Sequence, residues 1–139
     1  MKAARTIARL LFGACWLFFG LHGFFNFDFM PKPPPMPERA SALFQGLVGS
    51  GYMMPLISGT EVLAGVLLVS GLFVPLALAI MAPIIVNIVA FHLYANREGI
   101  EVALVVLALE LFLAFAYRKA FAGVLAPRYG EGSAAAKPG

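Results

Sequence analysis

Charge is scarce in this chain. Of its 139 residues only 12% are charged, 61% are hydrophobic and the mean hydropathy is +0.88; that is about half the charge of an ordinary soluble domain. The composition excludes a water-soluble fold and predicts an all-α integral membrane protein. A single cysteine, Cys15, rules out an intramolecular disulfide and a cysteine-rich metal site. His22 and His92 form the only bis-histidine pair, and the helical Glu-x-x-His motif of di-iron bundles is missing, so neither haem nor metal is expected as a cofactor. There is no nucleotide loop, nucleophile elbow or zinc-protease motif, and no catalytic residue can be named. The net charge of +3 comes from cations dispersed towards the chain ends without a basic aromatic patch, which excludes nucleic acid as a partner.

What the chain has instead is long apolar runs. At about 20 residues per crossing they predict four spans, near 7–27, 55–72, 76–94 and 100–117, in a single domain over 1–123. Lys2, Arg5 and Arg9 ahead of the first run imitate a signal peptide. The run continues past Phe25 without a small-residue cleavage site, which predicts an uncleaved first helix. Pro31, Pro33, Pro34, Pro35 and Pro37 then impose a stiff, extended connection. After them Ala40, Leu43, Phe44, Leu47 and Val48 recur at helical spacing among Glu38, Arg39, Ser41 and Gln45. This pattern predicts a short amphipathic helix, about 38–50, lying at the membrane surface or capping the bundle. Pro83 is expected to interrupt and kink the third span. Residues 124–139, rich in small residues, are expected to be a flexible cytoplasmic tail. The fold class is therefore an integral membrane four-helix bundle with a short amphipathic helix between spans one and two, its immediate partner being the lipid bilayer.

Seven of the ten cations, Lys2, Arg5, Arg9, Arg118, Lys119, Arg128 and Lys137, flank the chain ends, and Lys32, Arg39 and Arg97 lie in the loops. The bias places both termini in the cytoplasm, in agreement with an even number of spans.

Few polar groups interrupt the spans, and their depths are informative. Cys15, Phe19, His22 and Asn26 fall on one stripe of the first helix. Ser58, Glu61 and Gly65 share a face of the second, with Glu61 near the midplane. Asn87 and His92 occupy the outer half of the third, about 140° apart around its axis. Glu101 opens the fourth helix, where a carboxylate suits the positive end of the helix dipole, and Glu110 lies deeper. Glu61 weighs most. The nine strongly apolar residues of its span contribute about −0.3 to −0.6 kcal/mol each, against about +3 kcal/mol for a central carboxylate. Insertion is then close to neutral, so Glu61 is expected to face inward, partnered or protonated, as intramembrane acids with functional roles do. With His22, Asn26, Asn87 and His92 it is expected to line a ligand-binding pocket open to the cell exterior, and Glu61 with Glu110 are the candidates for proton transfer.

Leu11-Phe12-Gly13, the run Phe19-Gly20-Leu21-His22-Gly23-Phe24, then Gly59-Thr60-Glu61-Val62-Leu63-Ala64-Gly65 and Leu67-Leu68-Val69-Ser70-Gly71-Leu72 together resemble the DoxX family of small bacterial membrane proteins. His92, late in the third span, fits too. The resemblance spans about Ala8 to Phe121. It implies a four-helix bundle of the bacterial inner membrane whose relatives serve redox or stress-response assemblies, with Glu61 matching a recurrent second-helix glutamate. The expected function is that of an accessory, oxidoreductase-associated subunit whose pocket takes a quinone or other small ligand. Quinone carbonyls need donors, and a nearby acid can exchange the accompanying proton. A second expectation is a small-solute or proton-coupled carrier using Glu61 and Glu110, functioning as a homo-oligomer. A third is a structural partner of other membrane subunits, contacting them through Gly13 and Gly20.

Overall fold

The structure, a computed structural model, describes residues 1–127. Most of the tail expected over 124–139 falls outside the described residues. Six helices follow one another: α1 (Lys2–Phe25), α2 (Glu38–Gly49), α3 (Met53–Ser70), α4 (Val74–Tyr94), α5 (Ile100–Ala116) and α6 (Arg118–Phe121). There is no strand among the described residues. The helices α1, α3 and α4 are long and apolar enough to cross a membrane. At 17 residues, α5 is one turn shorter than the 21-residue α4.

The helix ends are set by local chemistry. Asn26 closes α1 in the left-handed conformation (φ 45°), its amide donating to the His22 carbonyl, an arrangement that asparagine tolerates better than other side-chain-bearing residues. Gly71 closes α3 in the same way at φ 77°. The first helix begins five residues ahead of the apolar run, because Lys2 to Thr6 continue the helix although they interrupt the hydrophobic pattern. Pro83 does not interrupt α4, whose helix runs unbroken from Val74 to Tyr94. Proline removes one amide donor, that which would serve the Ala79 carbonyl, and the packing of α4 against α3 and α5 holds the remaining ladder together.

The long helices contact in ring order, α1 with α3, α3 with α4, α4 with α5 and α5 with α1, while α2 lies on α3. The α1–α3 pair is the closest, and glycine is the reason. A Cβ on Gly65 would lie 2.6 Å from the Leu17 amide nitrogen, one on Gly13 2.8 Å from the Leu68 Cβ, and one on Gly20 2.8 Å from the Ser58 carbonyl oxygen. The two backbones therefore touch, as small residues permit in apolar surroundings. Gly13 and Gly20 face α3 of their own chain and are not free for the contact with another membrane protein that the sequence suggested.

Arg9 fastens the pair at one end, its guanidinium donating to the Leu68 and Val69 carbonyls, acceptors that the C-terminus of α3 leaves open. Arg5 lies over the Tyr117 ring at 5.0 Å, so the start of α1, the end of α3 and the end of α5 share one end of the molecule, here the terminal end. The other, the loop end, carries α2 and the α4–α5 turn. Between them lies an apolar core of Phe12, Trp16, Leu68, Leu78, Met81 and Leu113, with Phe12 and Trp16 edge to face at 5.8 Å. The outward faces carry further large apolar side chains, among them Leu11, Leu63, Val86, Val105, Leu111 and Phe115, a surface too apolar for a water-soluble monomer.

Two outcomes are expected. Replacing Gly65 by leucine should lower stability by at least about 2 kcal/mol, read as a clear fall in the unfolding midpoint in detergent, whereas leucine at Gly46, with nothing within 4 Å, should not. Arg9→Met should cost about 1 kcal/mol, because the charge-assisted bonds it removes are partly open to solvent.

Candidate functional site

Two cavities meet at the loop end. The larger, about 370 Å³, lies between α1, α3, α4 and α5; the smaller, about 200 Å³, lies between α2, α3 and α4. Glu61 and His92 line both, with Met54, Ile57 and Ile88. These five form the boundary between the two spaces.

Each wall follows from its helix. On α1 the stripe of Cys15, Phe19 and His22 faces the larger cavity, with Trp16 beside it. On α3 one face presents Met54, Ile57, Ser58 and Glu61 to the cavity, and its continuation along the helix, through Gly65, is pressed onto α1. Gly23 is needed at this junction, because a Cβ there would collide with the Ser58 hydroxyl; Ser58 itself is 2% exposed. On α5 the wall is apolar, formed by Val102, Ala103 and Val106. From α2 come Leu43, Phe44 and Leu47, which close the smaller cavity on one side. Neither lining includes a lysine or arginine, so no cation of the cavity walls faces Glu61.

The two histidines are held in different ways. The amide N–H of Phe27 donates to His22 Nδ1 at 3.0 Å, so Nδ1 must be bare and the ring proton sits on Nε2. For His92 the order is reversed. Its Nδ1 lies 2.9 Å from the Ile88 carbonyl oxygen, which can only accept, so Nδ1 carries a proton and, in the neutral imidazole, Nε2 is the bare nitrogen. Gly99, at φ 80° in the α4–α5 turn, passes beside that nitrogen, and a Cβ there would come within 3.3 Å of it. One histidine therefore offers a donor, and the other an acceptor.

Of the five residues expected to bind a ligand, Glu61, His22 and His92 line one cavity. Asn87 is on the wall of the smaller cavity only. Asn26 lines neither; it is exposed and serves as the C-cap of α1. Glu110 is separated from the group: 6% exposed, with Oε2 lacking a hydrogen-bond partner, it lines a third cavity of about 280 Å³ with Leu78, Ala79, Ala82 and Arg118 at the terminal end. Glu101 is exposed in the first turn of α5. Among the described residues, no group of three His, Cys, Asp or Glu side chains comes together as metal ligands.

Sequence reasoning missed Trp16, whose indole N–H is buried without a hydrogen-bond partner on a residue that is 4% exposed. Its place next to Cys15 on the helical stripe was the available signal. Gly99 and the α5 wall carried no signal, because turn glycines and apolar helix faces look alike wherever they occur.

The two adjoining, mainly apolar spaces, with a carboxyl and one imidazole at their boundary and a second imidazole on the wall of the larger, can receive a small polar head followed by an apolar chain. Comparison with protein-family profiles, with curated proteins and with solved structures finds no match.

Proposed function

We propose that this chain is a four-span protein of the bacterial inner membrane that binds a membrane-borne small amphiphile at its loop end. The fourth span is α5. Its 17 residues reach the short end of the range for a crossing, its only charged side chains are Glu101 and Glu110, and it contacts both α4 and α1. The amphipathic α2 has Leu43, Phe44 and Val48 exposed on one side, as a helix lying in the interface requires. Lys2, Arg5, Arg9, Arg118 and Lys119 all gather at the terminal end, and the excess of cations assigns that end to the cytoplasm. The cavities then open on the opposite side.

One observation carries the binding reading: Glu61 and His92 line two mainly apolar cavities at once, the larger adding His22 and Ser58 to its wall, the smaller adding Asn87 and covered by α2. A head group rests against Glu61, His22 and His92, and its chain leaves beneath α2 towards the acyl region. A quinone has this shape. The DoxX resemblance supplies the biological setting, an accessory subunit of a redox or stress-response assembly.

The expected result is that wild-type protein in nanodiscs binds a short-chain ubiquinone analogue saturably, read by quenching of Trp16, the only tryptophan, and that Glu61→Gln folds normally yet binds at least about tenfold more weakly. Saturable binding that Glu61→Gln leaves unchanged would overturn the assignment.

A second reading, a proton-coupled carrier, rests on the partnerless Glu110 carboxyl in its own cavity beyond the apolar core. It requires that core to open. Its expected outcome is proton flux in proteoliposomes that Glu110→Gln abolishes; absence of flux with the wild-type chain would remove it.

A further inference from the structure

A ligand head that offered acceptors alone would leave half of this site unused. His22 holds its proton on Nε2, because Nδ1 accepts the Phe27 amide N–H. His92 holds its proton on Nδ1, against the Ile88 carbonyl oxygen. The tautomers are therefore fixed by two backbone groups, one at the end of α1 and one a turn earlier on α4, and neither is free to exchange without breaking its bond. Both rings line the larger cavity. The cavity thus holds one imidazole donor and one imidazole acceptor. The bare Nε2 of His92 lies beside Gly99 of the cavity wall, where a Cβ would come within 3.3 Å of it.

Resting on the binding reading above, we infer that the cavity selects an amphiphile with a hydroxylated head, a phenol or hydroquinone, over the same molecule with carbonyl or ether oxygens alone. The head oxygen accepts from His22 Nε2–H, and a head hydroxyl donates to His92 Nε2. An ether or a fully oxidised quinone meets the first demand but not the second, and it also buries the lone pair of His92 Nε2 against a group that cannot donate. Leaving a buried acceptor unmet costs more than the net worth of an ordinary hydrogen bond, and sites built around a substrate hydroxyl reject analogues lacking it for this reason. Of a quinone couple, the reduced member is the one retained. Trp16, with its own unmet N–H in the same wall, adds a donor and no acceptor, so it does not reverse the preference.

The matched probes are 4-nonylphenol and its methyl ether, 4-nonylanisole, titrated into the full-length protein in nanodiscs with Trp16 fluorescence as readout and affinities expressed as mole fraction in lipid. The phenol should bind about tenfold more tightly than the ether. His92→Phe, which keeps the ring and removes the acceptor, should abolish the preference, weakening the phenol and, because no acceptor is left unmet, tightening the ether until the two bind alike. His22→Phe should weaken both probes together. Equal affinities in the wild type, or a preference for phenol that survives His92→Phe, would overturn the selectivity while leaving the binding reading intact. Failure of both probes to bind the wild type would overturn the two together. Should His92→Phe not accumulate as folded protein, the wild-type pair of titrations still decides.

Discussion

The backbone-to-backbone contact of α1 and α3 is the constraint on which the rest is built. Gly13, Gly20 and Gly65 allow the two helices to approach until side chains have no room between them, and Arg9 ties the end of α3 to the start of α1. Once these two are locked, the face of α3 that carries Ser58 and Glu61 and the stripe of α1 that carries Cys15 and His22 must open towards the same space. Polar groups that hydrocarbon would exclude are brought inward as a consequence of packing that itself involves no polar side chain at its centre. A wider α1–α3 spacing would leave the same residues on a loose surface.

The second consequence of that geometry is a division of the interior. Below the cavities, Phe12, Trp16, Leu68, Leu78, Met81 and Leu113 fill the space without polar atoms except the indole nitrogen. Glu61 lies on one side of this layer and Glu110 on the other, each with its own cavity. The two acids look equivalent by composition, yet their surroundings differ: Glu61 has two imidazoles and a serine hydroxyl in the shared wall, whereas Glu110 has Arg118 and otherwise apolar neighbours. The proposed ligand recognition therefore belongs to the first.

Much of this was legible in the residues, because depth in a helix can be counted. The helical character, the apolar runs and the depths of His22, Glu61 and His92 all follow from spacing along individual helices. What spacing cannot give is which neighbour takes a face. Gly13 and Gly20 could have served a partner protein, and only the close approach of Gly13 to Leu68 and of Gly20 to Ser58 and Val62 shows them used within the chain. Asn26 looked like a fourth member of the polar stripe, but the chain turns there and the residue is consumed in the turn. The opposite tautomers of the histidines were out of reach for a similar reason: they depend on the Phe27 amide and the Ile88 carbonyl, main-chain groups that every residue possesses and no composition distinguishes. Pro83 is the converse case, a strong local signal overridden by the neighbours that hold α4 in place.

The unequal helix lengths have a consequence for the surrounding lipid. With 17 residues in α5 and 21 in α4, the two differ by about 6 Å along the axis. With α5 as the proposed fourth span, a bilayer enclosing the molecule would be pinched on the α5 side and of ordinary depth on the α4 side. Such lopsided mismatch favours thin membranes and tilts the whole body to share the deficit. In the proposed four-span arrangement, head groups on the pinched side would be drawn closer to the α4–α5 turn, shortening the path of the proposed lipid-borne ligand.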